Sequence, residues 1–261
     1  MNDDKPLILV TNDDGITAPG IRALVNCVTK LGRVVVVAPD SPQSGMGHAI
    51  TITEPLRLDK SDYFGPEVEA YQCSGTPADC VKLAVDKVLN RRPDLLVSGI
   101  NHGSNSSINV IYSGTMSAAV EGAIDGMQAI GFSLLDYAMD ADFTQAMEVV
   151  SKVCKGVLRE KLPSDTLLNV NIPKNNGEKL KGIKICRQAR AKWVEEFDER
   201  MDPYKRKYYW LTGKFKQLDH GEDTDEWALQ NGFVSVVPVQ FDLTAHHAIS
   251  TINNWDLNEE A

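Results

Sequence analysis

The run Arg33-Val34-Val35-Val36-Val37-Ala38-Pro39 most narrows what this chain can become, because four consecutive valines leave the strand no polar face. A strand of that kind has to be covered on both sides, as strands of parallel sheets are. Pro6-Leu7-Ile8-Leu9-Val10-Thr11 and Leu95-Leu96-Val97-Ser98 have the same texture. Apolar residues recur at helical spacing in between: Ile21, Leu24, Val25 and Val28 within 19–30, with Gly32 as the stop. Helices are also predicted from Pro77 to about Leu89, from Ala118 to Met127, and over 142–158, where Phe143, Met147, Val150, Val153, Cys154 and Val157 form one stripe. Gly131 to Leu135 reads as a further strand, and 49–58 and 68–73 as extended segments. Strand–helix alternation predicts an α/β fold with a mostly parallel sheet and helices on both faces.

The texture changes from residue 167. Thr166–Ile172 and Gly182–Ile185 read as strands, and Glu222–Gln230 and Thr244–Asn254 as short helices flanking a strand at Gly232–Pro238. Residues 188–220 mix many charges with Trp193, Phe197, Tyr204, Tyr208, Tyr209 and Trp210 and show no clean core period, so an extended β arm fits best. With no repeat and no low-complexity linker, one domain over 1–261 is expected, its core about 5–187 and 221–254 and its arm about 188–220. Aromatic residues among charges are typical of protein interfaces. The arm is therefore expected to join subunits.

Composition excludes several classes. The 261 residues are 43% hydrophobic, an ordinary soluble balance. A net charge of −9 argues against nonspecific nucleic-acid binding and means that an anionic substrate must be recruited locally. The five cysteines are scattered, without a CxxC pair, and read as reduced core thiols of a cytoplasmic protein. Met-Asn-Asp-Asp-Lys does not begin a signal peptide, and no apolar run approaches the roughly 18 residues of a membrane span.

Asn12-Asp13-Asp14-Gly15 follows the first strand directly. Open α/β sheets bind ligands at the carboxyl ends of their strands. Two unpaired carboxylates there would repel each other by roughly 4 kcal/mol at 4 Å and an effective dielectric of 20. A hard divalent cation relieves that repulsion, and Mg²⁺ and Mn²⁺ favour carboxylate oxygens. The same residues also suit a polar turn, with an Asp capping the helix that Pro19 helps to start.

Three more loops fall at predicted strand or helix ends. Pro39 to His48 carries Gly45, Gly47 and the hydroxyl of Ser44. Gly99 to Asn109 carries Asn101, just past a strand end, whose side-chain carbonyl can serve a metal. Ser113-Gly114-Thr115 opens a helix, where free N–H groups and two hydroxyls make a phosphate cradle. Asp13, Asp14, Ser44 and Asn101 would then be an all-oxygen set for Mg²⁺ or Mn²⁺, with the cradle facing it. Phosphate monoesters hydrolyse so slowly that enzymes supply up to ~28 kcal/mol. A helix N-terminus gives at most ~2 kcal/mol, so the metal has to carry the larger share.

These residues carry a family resemblance. Thr11-Asn12-Asp13-Asp14-Gly15, Ala38-Pro39 with Gln43-Ser44-Gly45, Ser74-Gly75-Thr76-Pro77-Ala78-Asp79-Cys80-Val81, Ser98-Gly99-Ile100-Asn101 with Gly103 and Asn105, and Tyr112-Ser113-Gly114-Thr115 with Ala118-Ala119 and Glu121-Gly122 resemble the survival protein SurE family. The similarity runs on to Thr224-Asp225 and Gly232-Phe233-Val234-Ser235. It implies a cytoplasmic, divalent-metal-dependent 5′-nucleotidase acting on nucleoside monophosphates. It also implies a Rossmann-like fold whose C-terminal part is shared within a homodimer or homotetramer. Asp13 and Asp14 would carry catalysis through one metal ion per subunit, bound also by Ser44 and Asn101. Asn12, Asn105, Ser113, Gly114 and Thr115 would line the phosphate site.

Two departures stand out. Met116-Ser117 replaces a usual Val-Gly, so Ser117 would add a phosphate contact or crowd the helix, and Ser107 replaces a usual glycine and would stiffen its loop. A haloacid-dehalogenase-type phosphatase also uses a strand-end Asp, but wants Asp-x-Asp. A non-catalytic nucleotide-binding module would not need adjacent carboxylates. His48 and His102 are the candidate proton donors to the leaving oxygen, whereas the adjacent His246 and His247 point to different faces of a helix.

Overall fold

The computed structural model describes residues 5–138, 140–255 and 257. Its elements run β1 (Leu7–Thr11), α1 (Pro19–Val28), β2 (Arg33–Pro39), β3 (Leu58–Lys60), β4 (Glu69–Cys73), α2 (Pro77–Leu83), β5 (Leu95–His102), α3 (Gly114–Ile124), β6 (Ala129–Leu134), α4 (Thr144–Glu160), β7 (Thr166–Ile172), β8 (Ile183–Ile185), β9 (Ala191–Met201), β10 (Lys207–Gln217), α5 (Asp225–Gln230), β11 (Val234–Gln240) and α6 (His246–Ile252). Nine strands form one sheet in the order β3-β4-β2-β1-β5-β6-β7-β11-β8.

From β4 to β7 the strands are parallel, so by order of appearance they stand third, second, first, fourth, fifth, sixth. That is the Rossmann order, in which the winding reverses between the first and fourth strands and leaves a crevice at their carboxyl ends. Here the crevice lies between β1 and β5. β11 closes the β7 side antiparallel, and β8 pairs with it in parallel.

Alternation along the apolar strands sorts the core into two layers. Ile8, Val10, Val34 and Val36 pack with Ile21 and Leu24 of α1 and Val150 and Cys154 of α4. Leu7, Leu9, Val35 and Val37 pack with Cys80 and Val81 of α2 and Met116 and Ala119 of α3. Helices on both faces follow from that division, and all five cysteines are buried as free thiols. Gly20 shows how tightly α1 sits. A Cβ there would lie 1.9 Å from the Ile100 carbonyl oxygen.

Several boundaries differ from the sequence reading. β5 runs four residues past Ser98, with an irregularity between Ser98 and Asn101, so Asn101 lies inside the strand end rather than beyond it. The helix expected from Pro77 to Leu89 tightens to α2 and then widens into a π turn over Ala84–Val88. The segment 49–58 is irregular until β3 begins at Leu58. α3 runs Gly114–Ile124 with Ser113 as its cap, as the Ser113-Gly114-Thr115 reading expected, but stops three residues short of Met127, and Ala18 caps α1 without any side-chain bond, so no Asp serves that role. The arm is the antiparallel hairpin β9–β10, with Tyr208 opposite Arg200 and Phe215 opposite Trp193.

Candidate metal and phosphate site

The four residues after β1 make a tight turn at the crevice. Asn12 Nδ2 donates to the Gly15 carbonyl at 2.9 Å, and Gly15 takes a φ of +95°, open to glycine. Asp13 is buried, and Thr115 holds its carboxylate through the hydroxyl at 2.5 Å and through its backbone N–H. The Asp13 carbonyl accepts from the Gln43 N–H at 2.8 Å, and Asp14 Oδ2 accepts from the His102 N–H at 3.3 Å. The turn after β1, the loop after β2, the end of β5 and the start of α3 therefore meet on two adjacent carboxylates.

Electrostatics make that meeting costly. Burial first, and then the charge of Asp14, push Asp13 up to about 6 despite the bonds from Thr115. Burial also raises Asp14, against the His102 N–H. No ion pair among the described residues includes either aspartate. Asn12 Oδ1 is buried without a partner. Asn101 Nδ2 donates to the Gly103 carbonyl at 3.0 Å, which leaves Oδ1 as its open end. No cluster of three or more His, Cys, Asp or Glu suited to a metal occurs among the described residues. The donors gathered here are two carboxylates and neutral oxygens, a set that fits a hard cation and not zinc.

The cradle faces Asp13 directly. Ser113 caps α3, its Oγ accepting from the Met116 N–H at 3.0 Å. A Cβ on Gly114 would lie 2.7 Å from Asp13 Cβ and 3.0 Å from Oδ2, so only glycine lets the helix start approach so closely. The Thr115 hydroxyl is spent on Asp13, which places it behind the carboxylate. Ser117 Oγ donates to the Ser113 carbonyl at 2.7 Å, so its hydroxyl stays within the helix. Ser44 is exposed one residue after Gln43, on a loop that returns to the Tyr112 carbonyl through the Gly47 N–H at 3.2 Å.

Asn105 is held by residues that the sequence reading passed over. Its N–H donates to Asn171 Oδ1 at 2.8 Å and its carbonyl accepts from Asn169 Nδ2 at 2.8 Å. Asn171 Nδ2 donates to Asn169 Oδ1 at 2.8 Å, and Asn105 Nδ2 donates to Ser133 Oγ at 2.7 Å. The signal for these was two amides on one face of an otherwise apolar strand, each buried. Asp225 fastens the same loop, accepting from the Ser107 N–H at 2.8 Å and the Ala189 N–H at 2.9 Å. Ser107 has a φ of +52°, a conformation that favours glycine, and its hydroxyl donates to the Ala189 carbonyl at 2.8 Å. The residue in place of the usual glycine thus ties the loop to the hairpin base.

Of the two loop histidines, one is bonded to a carboxylate and the other is enclosed without a partner. His48 Nε2 lies 2.9 Å from Glu121 Oε2, and Lys82 reaches the other Glu121 oxygen at 2.5 Å. Burial works to raise the Glu121 carboxyl, but His48 and Lys82 hold it below its ordinary value. His102 packs edge-on against Phe143 at 5.3 Å, its Nε2 buried without a partner. His246 pairs with Asp242 at 2.8 Å on the exposed α6 segment.

Comparison with known proteins decides the family. The survival protein SurE model matches residues 8–195. The chain belongs to the SurE family. It is 65% identical over 255 residues to the 5′-nucleotidase SurE of Flavobacterium psychrophilum, covering 98% of this chain and 99% of that protein. The 5′-nucleotidase SurE of Bacteroides fragilis is 46% identical over 262 residues, covering 98% of this chain and all of that one. The crystal structure of the SurE protein from Aquifex aeolicus superposes with a TM-score of 0.82 at 42% identity, covering 95% and 98% of the two chains.

The acid pair has a measurable signature in the metal-free SurE chain. A carboxyl raised from 3.8 to about 6 disfavours folding by about 3 kcal/mol once ionised. That penalty is absent below about pH 4, grows as the pH rises, and is complete above about pH 6. In EDTA, Asp13→Asn is therefore expected to raise the unfolding free energy at pH 7.5 by up to about 3 kcal/mol, and to keep only about 1 kcal/mol of that advantage at pH 4.5. Denaturant melts at the two pH values measure it. A variant less stable than the parent at pH 7.5 would contradict this picture.

Proposed function

We propose that this chain is a 5′-nucleotidase, releasing phosphate from nucleoside 5′-monophosphates with one Mg²⁺ or Mn²⁺ per subunit. The observation that carries the reading is the pair of buried Asp13 and half-buried Asp14, without a cationic side chain, against the glycine-opened start of α3. The names of the relatives support the same activity. Asp13, Asp14, Ser44 and Asn101 would hold the cation, which when bound neutralises phosphate oxygens and lowers the pKa of water. Thr115 keeps Asp13 in one orientation through two hydrogen bonds. The Gly114 N–H at the first position of α3 and the Ser113 hydroxyl hydrogen would bind phosphate oxygens, with Asn12 and Asn105 on the flanks. With His48 tied to Glu121 and His102 Nε2 enclosed, solvent is left to protonate the leaving oxygen.

The five buried thiols suit a reducing compartment, and we infer the cytoplasm. No helix among the described residues is long and apolar enough to cross a membrane. The hairpin β9–β10 supports assembly. Its base is tied to the domain by Trp193 Nε1 donating to Asn109 Oδ1 at 2.9 Å, while Phe197, Met201, Tyr204, Tyr209, Trp210 and Leu211 stay exposed. Few soluble monomers carry so much apolar surface on one ribbon, and a second copy of the chain would cover it.

Four outcomes test the proposal. Phosphate release from AMP or GMP is expected with Mg²⁺ or Mn²⁺ and lost in EDTA. Asp14→Asn should lower it by at least about 100-fold with the fold intact by circular dichroism, since a cation ligand is lost and the shape is kept. Turnover near the parent's at modest metal concentration would defeat the metal site. Ser44→Ala should raise the metal concentration needed for half-maximal rate, whereas Ser113→Ala should raise KM for the nucleotide at saturating metal. Identical behaviour of the two variants would contradict the division of roles. Replacing 190–212 by a short Gly-Ser linker should give a smaller species by light scattering, and an unchanged mass would show that the hairpin is not the joint.

A further inference from the structure

The loop after β2 is fastened at three points. The Gln43 N–H donates to the Asp13 carbonyl at 2.8 Å, the Gly47 N–H donates to the Tyr112 carbonyl at 3.2 Å, and His48 Nε2 meets Glu121 Oε2 at 2.9 Å. Ser44 lies exposed between the first and second of these, in a stretch where Gly45 and Gly47 take φ of +75° and +55°. Two left-handed glycines leave such a stretch many conformations. The Ser44 hydroxyl therefore stays near the carboxylates only while both ends of the stretch are fixed, and the far end is fixed on a buried carboxylate. We propose that Glu121 and His48 are positioning residues for the cation: Glu121 holds His48, and His48 holds the loop so that Ser44 meets the metal as a ligand. This rests on the metal site of the nucleotidase reading and adds the groups that set its affinity without touching the ion.

Helix α3 sets the geometry of this fastening. Glu121 stands seven residues after Gly114, about two helical turns, so both lie on one side of the helix. Gly114 is the residue that rests against Asp13. One rigid element thus carries both the contact with a metal carboxylate and the anchor of the metal loop. Lys82 of α2 occupies Glu121 Oε1, which leaves Oε2 to His48. An ionised carboxylate only accepts, so the His48 nitrogen facing it carries the hydrogen in the neutral ring as well as in the charged one. A charged acceptor makes the stronger bond, and burial keeps water from competing for it. The consequence for the ion is quantitative. A loop always held in its binding position lets the metal bind with its intrinsic affinity, whereas one held there a tenth of the time binds it about tenfold more weakly.

The test reads Mn²⁺ binding by electron paramagnetic resonance without nucleotide, and then the Mn²⁺ concentration for half-maximal AMP hydrolysis. His48→Ala is expected to weaken Mn²⁺ binding by about tenfold and to raise the half-maximal concentration to match. At saturating Mn²⁺ its kcat and its KM for AMP should move less than about twofold. His48→Gln, whose amide N–H can still reach Glu121, should restore most of the affinity. Glu121→Gln keeps a neutral acceptor and should weaken binding less, by about threefold, and should add nothing to His48→Ala. Ser44→Ala should also weaken Mn²⁺ binding, and adding His48→Ala to it should have no further effect, because no ligand is left to position. Full Mn²⁺ affinity in His48→Ala beside a loss in Ser44→Ala would overturn the proposal, as would a KM for AMP that rises as much as the Mn²⁺ requirement. Full Mn²⁺ affinity in Ser44→Ala would instead defeat Ser44 as a ligand, the reading beneath the proposal. Failure of the parent to hydrolyse AMP would defeat the nucleotidase reading, while the resonance measurement would still decide the positioning role.

Discussion

The crevice end of this molecule is arranged around two adjacent carboxylates that repel each other, Asp13 buried and Asp14 half-buried. Asp13 and Asp14 sit at the point where the sheet reverses its winding, and the chain provides no lysine or arginine for either. What it provides instead is neutral: the Thr115 hydroxyl and N–H to Asp13, and the His102 N–H to Asp14. Each such bond is worth only about 1–3 kcal/mol to a charged partner. That is comparable to the cost of ionising Asp13 and does not exceed it by much. The pair is held in place without being satisfied, and that is the condition in which a cation binds.

The support behind the site follows the same economy of charge. Asn105, Asn169, Asn171 and Ser133 form a ladder of neutral groups between the ends of β5, β6 and β7. Carboxylates there would deepen the negative potential that the proposed substrate phosphate would enter, and lysines would compete with the proposed metal for Asp13 and Asp14. Neutral amides bonded to one another avoid both effects and still fix the loop, since a hydrogen-bonded buried network is rigid. The charged fastening, Asp225, is placed one layer further out, where it holds Ser107 and Ala189 and so couples the loop to the hairpin base.

Glu121 performs a related task on the other side. From α3 it binds His48 of the loop after β2 and Lys82 of α2, so the loop that carries Ser44 is tied to the helix whose N-terminus forms the cradle. His48 therefore belongs to loop placement. Its position near the site in sequence suggested proton transfer, but side-chain chemistry is decided by the partner it meets, and Glu121 lies 73 residues away in the chain.

Much of the fold was legible in the sequence. Valine runs such as 34–37 can only be strands covered on both faces, the helical stripes lie between them, and the Asp13–Asp14 pair falls after the first strand whatever the packing. These are local facts, set by side-chain shape and by covalent order. The order of strands in the sheet, the growth of β5 through Asn101 by pairing with β6, the left-handed Ser107 held by Asp225, and the opposition of Gly114 to Asp13 depend on residues far apart meeting. No periodicity encodes such meetings. They follow from packing, because only the assembled sheet brings four chain segments to one crevice and decides which hydroxyl, amide or imidazole faces which carboxylate.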